Sequence, residues 1–113
     1  MAAKLRITVA VAQVLREFLV DPSRPRYGYD LMQSTGFPSG KLYPILARLC
    51  HAGWLVRTAE NIDPSGEGRP ARYMYELSGR GAEEARLELA ALQLALAMPD
   101  GRARRVQTEG GVA

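Results

Sequence analysis

The spacing of apolar residues changes along the chain, and each change marks an element. Leu5, Ile7 and Val9 alternate as in a strand. From Val11 the spacing becomes Val11, Val14, Leu15 and Phe18, the pattern of an amphipathic helix. Thr8 stands where an N-cap is needed, and Asp21-Pro22 ends the segment. "DPSRPR" then reads as a connector. "YGYDLMQSTGF" gives a second, short helix with apolar contacts from Tyr29, Leu31 and Met32, and Gly36 stops it. A tight turn through Gly36, Phe37 and Pro38 leads into "SGKLYPILARLCHAG", a third helix over Ser39 to Gly53. Two helices joined by such a turn form a helix-turn-helix.

The third helix carries Pro44 inside it, where a proline removes a donor and costs about 3 kcal/mol in a helix interior. Advancing about 100° per residue collects Leu42, Ile45, Leu46 and Leu49 on one face, the core side. Gly40, Pro44, Ala47 and His51 fall opposite, with Lys41, Tyr43 and Arg48 at the rim. Pro44 therefore points outward, and the carbonyl it displaces, that of Gly40, lies in the loosely bonded first turn. The outer face is small and smooth, so it can press closely against another surface. A major groove about 12 Å wide admits such a helix.

Past Gly53 the period becomes two. "WLVRTAE" and "RYMYEL" read as strands, with Tyr73, Tyr75 and Leu77 on the buried face of the second. Trp54 is expected to pack at the helix–strand junction. The intervening "NIDPSGEGRPA" is too long for a tight hairpin and is expected to project as a flexible loop. Ser78 should cap a last helix running to Met98, with Pro99 stopping it and residues 99–113 forming a polar, disordered tail.

The order predicts a mainly α (α+β) fold: a winged helix-turn-helix with a two-stranded wing over residues 1–78, and one extra C-terminal helix over 79–98. That last helix has one apolar stripe through Ala85, Leu89, Leu92 and Leu96, and another through Leu87, Ala91, Leu94 and Met98. A helix packed on its own domain needs one stripe. The second points to a homodimer, with Leu87, Leu89, Leu92, Leu94 and Leu96 as dimerisation residues.

Composition narrows the functions. A chain of 113 residues fits one small domain. Arginine supplies 13 of the 15 basic residues and the formal charge is +3, which permits a nucleic-acid partner without demanding one. The single cysteine, Cys50, fits a reducing cytoplasm and excludes an internal disulfide. No membrane span or signal peptide is expected. Cys50 and His51 are neighbours about 100° apart on a helix and cannot readily share a metal, so no metal or other cofactor is expected. No nucleophile–base set, paired carboxylates or phosphate loop supports an enzyme.

"YGYDLM", "SGKLYPILARL", "AGWL" and "GRPARYMYELSGRG", in this order and spacing from Tyr27 to Gly81, resemble the PadR family of transcriptional regulators. The resemblance implies a homodimeric winged-helix repressor that binds double-stranded DNA at a pseudo-palindromic operator and is released by a small-molecule effector. It makes Ser39, Lys41 and Tyr43 the DNA-facing residues of the recognition helix, with Arg48 at the rim, and Arg69 and Arg72 the wing contacts. Arg24 and Arg26 are alternative backbone clamps. Cys50 stands where many relatives have glutamate. The wing's acids, Glu60, Asp63, Glu67 and Glu76, outnumber Arg69 and Arg72. This charge balance keeps a second reading open, a winged-helix protein-interaction module without DNA binding.

Overall fold

A computed structural model describes residues 5–97. Helix α1 spans Val9–Leu19, strand β1 Arg26–Tyr27, α2 Gly28–Thr35, α3 Ser39–His51, β2 Leu55–Ala59, α4 Pro64–Glu67, β3 Tyr73–Leu77 and α5 Gly79–Ala97. The expected end at Met98, the Pro99 stop and the tail lie outside the described residues.

The helices begin where their caps are. Thr8 accepts from the Val11 amide through Oγ1 at 3.2 Å. Ser78 accepts from the Gly81 amide at 2.9 Å and donates to the Gly53 carbonyl at 2.7 Å. It thus caps α5 and ties it to the end of α3. Helix α3 closes with paired bonds, Trp54 N–H to Leu49 O at 2.9 Å and Gly53 N–H to Cys50 O at 3.0 Å, so the chain turns out of the helix with those carbonyls satisfied.

Val11, Val14, Leu15 and Phe18 of α1, Leu31 of α2, and Leu42, Ile45, Leu46 and Leu49 of α3 form one core with Phe37, Trp54, Leu55, Tyr75 and Leu77. Pro44 is exposed and α3 runs through it unbroken, as an outward-facing proline in an early turn allows.

The sheet departs from expectation. It has three antiparallel strands in the order β1-β3-β2, because Arg26 and Tyr27, expected in the connector and the second helix, pair with Tyr75 and Met74. Leu55–Ala59 runs against Leu77–Tyr73, so the two expected strands pair as an antiparallel hairpin. The loop between them is organised rather than free. Asp63 accepts from the Ser65 amide at 3.1 Å and caps the single turn α4. Tyr73, expected buried with Tyr75 and Leu77, is 48% exposed, since it lies at the far end of β3, at the edge of the core.

Gly81 is set by close approach. A Cβ there would run into the Trp54 backbone, 2.7 Å from its carbonyl carbon. Gly79 faces open space. Gly81→Ala should therefore lower stability by about 1–3 kcal/mol, while Gly79→Ala should leave it unchanged or slightly raised; urea unfolding of both variants checks this.

Candidate nucleic-acid interface

The outer face of α3 is open along its length. Ser39, Gly40, Lys41, Tyr43, Pro44, Ala47, Arg48 and His51 are all exposed, while Leu42, Ile45, Leu46 and Leu49 are buried beneath them. The first turn holds no acidic residue, and Pro38 at the cap position offers no side-chain acceptor. The positive end of the α3 dipole is left uncompensated beside Ser39 and Lys41. Lys41 lies over the Phe37 ring, its Nζ 4.2 Å from the centroid, which holds the ammonium beside the turn between α2 and α3.

Tyr43 has a second task. Its ring packs against Gly28 at the start of α2, where a Cβ would stand 2.8 Å from Cζ. A side chain at position 28 would push this tyrosine out of its seat. The glycine between two tyrosines in "YGY" is thus a contact surface for α3.

All five tyrosines of the chain converge here. Tyr27, Tyr29, Tyr43, Tyr73 and Tyr75 line a hollow of about 280 Å³ with Gly28 and Arg72. A neighbouring hollow of about 540 Å³ is lined by Tyr43, Ala47, Cys50, His51, Arg57 and Tyr75. Together they make a cleft between α3 and the sheet. Arg57 sits over the Tyr73 ring at 4.3 Å from its centroid. Burial pushes the Cys50 thiol up from its ordinary pKa, with Arg57 opposing. Cys50 therefore lacks the depressed pKa of a reactive thiolate.

Not every expected contact residue joins this surface. Ser39, Lys41, Tyr43 and Arg48 share α3, and Arg72 reaches the cleft. Arg24 is exposed in the connector. Arg26 is turned inward: its side chain is 11% exposed, Nη1 donates to Glu17 O at 2.9 Å and Nη2 lies 3.8 Å from Glu17 Oε1. As part of β1 it braces α1 rather than standing free as a clamp. Arg69 is also engaged, forking onto Glu60 with Nη1–Oε1 at 2.7 Å and Nη2–Oε2 at 3.2 Å.

Arg57, Tyr29 and Tyr73 are not contacts that the sequence alone picks out. A signal for Arg57 is present in the alternation of β2, which puts Leu55, Arg57 and Ala59 on one face. The wing's charge count changes with it, since Arg57 adds a cation and Glu60 is already paired.

Among the described residues, no group of three or more His, Cys, Asp or Glu is arranged to hold a metal ion. No described helix is long and apolar enough to cross a membrane.

Comparison with known proteins agrees with this architecture. Residues 18–87, more than half of the chain, match the model of the Transcriptional regulator PadR-like family. The chain belongs to that family. The PadR-like family is one of transcriptional regulators rather than enzymes. No curated protein matches the chain. Among solved structures, a protein of Streptococcus mutans UA159 aligns with a TM-score of 0.65 at 20% identity, over 93% of this chain and 99% of its own. A Streptococcus transcriptional regulator gives 0.63 at 22%, over 83% and 91%. A possible transcriptional regulator of Methanosarcina mazei Go1 gives 0.58 at 18%, over 85% and 78%. At these identities the likeness is one of fold.

The Glu60 carboxylate offers a direct check on the wing. Its pKa is lowered from an ordinary 4.5 to about 2, chiefly by the hydrogen bonds from the Arg69 side chain and the Arg72 amide. A depressed pKa means that the ionised form supports the fold above the ordinary value and that this support fades as pH falls towards the lowered one. Carboxyl NMR titration should give Glu60 a midpoint near 2, and a midpoint near 4.5 would mean the contacts do not form in solution.

Proposed function

We propose that this PadR-like protein is a cytoplasmic homodimeric repressor that covers a promoter at a pseudo-palindromic operator. The observation that carries the reading is the outer face of α3, small at its centre and basic at its margin, with an uncompensated helix N-terminus. Ser39, Lys41, Tyr43 and Arg48 would meet the major groove and its phosphates, and Arg72 would meet the backbone beside it. Arg24 is a further clamp. Arg26 and Arg69 have less to offer, because each already holds a carboxylate.

A second copy would cover α5. Only Gly81 and Ala85 of this helix are buried, although it is 19 residues long. Leu87 and Leu94 are 63% and 62% exposed on one side of α5, and Leu96, 77% exposed, lies on the other side beside Val9. Leu89 and Leu92 are half-buried against their own domain and line the groove that remains beside α1. Covering a leucine that is already partly buried is worth about 1–2 kcal/mol, so several such contacts doubled across a two-fold axis make a substantial drive to association. The groove between α1 and α5, about 520 Å³ and lined mainly by Val9, Ala12, Leu89, Leu92 and Leu96, would take a small apolar effector. Such a ligand would act by binding the DNA-competent and DNA-incompetent states with different affinity.

Selection from random duplexes, followed by fluorescence anisotropy on the selected site, tests the DNA reading. Lys41→Ala should weaken binding; removing a phosphate contact lowers the salt slope by about one unit, and removing a base contact costs about 1–3 kcal/mol at one position. Ala47→Leu should fold normally and bind poorly, because the added bulk blocks close approach. Folded Lys41→Ala, Tyr43→Ala and Ala47→Leu proteins that bind like the parent would favour the protein-interaction reading instead.

Leu94→Asp with Leu96→Asp tests the dimer. Both side chains are exposed within one chain, so the fold should survive while the apolar seam is charged. Sedimentation should report a dimer for the parent at micromolar concentration and a monomer for the variant.

A further inference from the structure

Glu60 is the most heavily engaged side chain of the wing. Its carboxylate accepts the Arg69 fork at 2.7 and 3.2 Å, the Arg72 amide at 3.2 Å and the Tyr27 hydroxyl at 3.4 Å. Its own amide donates to the Arg72 carbonyl at 2.7 Å. One residue thus pins both ends of the 60–72 loop to each other and to β1, directly before α2. The side chain is 15% exposed, so solvent does little of this work.

Resting on the DNA-binding reading above, we propose that Glu60 is the positioning residue of the wing, and that Arg57 and Arg72, rather than Arg69, are its phosphate contacts. The Glu60 fork and the Pro70 carbonyl already engage Arg69, and the carboxylate beside it balances its charge, so it has little net charge to give a phosphate; leaving Glu60 would strand a carboxylate beside the DNA backbone. Arg57 and Arg72 carry no such cost. Both are exposed, and among the described residues neither forms an ion pair within 4.0 Å. Arg57 is braced by the Tyr73 ring, which limits its freedom before any ligand arrives. Arg72 follows the clasp directly, since its own amide and carbonyl are the atoms Glu60 holds. The two flank the tyrosine cleft beside α3, whereas Asp63 and Glu67 keep the α4 tip acidic and off the backbone.

The test is the salt dependence of operator binding, whose slope changes by about 0.9 for each phosphate that is no longer neutralised. Arg57→Gln and Arg72→Gln should each make the slope shallower by about that much. Arg69→Gln should leave it unchanged in the parent. In a Glu60→Gln background Arg69 is free to take a phosphate, so there the same Arg69→Gln change should make the slope shallower by about 0.9. A glutamate that did not hold Arg69 in solution would not produce this reversal. Arg69→Lys, which keeps the charge without the fork, serves if Arg69→Gln folds poorly, and should likewise leave the parent slope unchanged. Amide exchange at Arg72, measured without DNA, should quicken in Glu60→Gln. A shallower slope for Arg69→Gln in the parent, unchanged slopes for both Arg57→Gln and Arg72→Gln, or unaltered Arg72 exchange would each overturn the proposal. A parent protein that binds no duplex at any salt would instead refute the regulator function, and with it the phosphate assignment.

Discussion

The backbone of Trp54 is the point on which the rest of the structure depends. Its N–H completes the end of α3 through Leu49, and its carbonyl receives the Ser78 amide at 3.0 Å. Gly81 passes so close that nothing larger than hydrogen fits between. The indole is buried in the core on the other side. Helix α3, the wing and α5 therefore share one residue, and none can shift far without breaking a buried bond. An unmade backbone bond there would cost about 1–3 kcal/mol, a large fraction of the stability of a domain this size.

What is legible in the sequence is local and periodic. The α3 wheel separates Leu42, Ile45, Leu46 and Leu49 from Pro44 and Ala47 because a helix repeats every 3.6 residues and one side must be buried. Thr8, Gly36 and Ser78 mark helix ends because their caps act within a few residues. The burial of Tyr75 and Leu77 on one face of β3 follows from alternation. What is not legible is long-range. Arg26 and Tyr27 become a strand only because β3 offers an unpaired edge, and nothing within "DPSRPR" announces that partner. The Glu60 contacts span up to 33 residues, so counting acids against arginines misjudges the wing. The convergence of the five tyrosines is of the same kind, a product of how β3 lies against α2 and α3.

The candidate interface joins two chemically different surfaces. Helix α3 presents small residues and a lysine to the outside; the sheet presents aromatic rings and arginines. Tyr43 joins them, seated on Gly28 and lining both hollows. A phenol suits this position, since its ring fills the joint between α2 and α3 while its edge stays available to a partner. Substitutions at Gly28 and Tyr43 consequently bear on the angle between the two helices of the helix-turn-helix as well as on contact chemistry.

Helix α5 has one further consequence, a mechanical one. It is anchored at its base by Ser78 and Gly81, against the same backbone that ends α3, and from there it extends about 28 Å. Beyond the base it rests on α1 through Leu89 and Leu92, so it can pivot only by sliding over that helix. Tilting it by about 10° moves its far end by about 5 Å over that length. The same geometry ties the position of the far leucines to the base, where α3 also ends. The fold thus joins, at one backbone segment, an apolar rod and a helix whose outer face is basic.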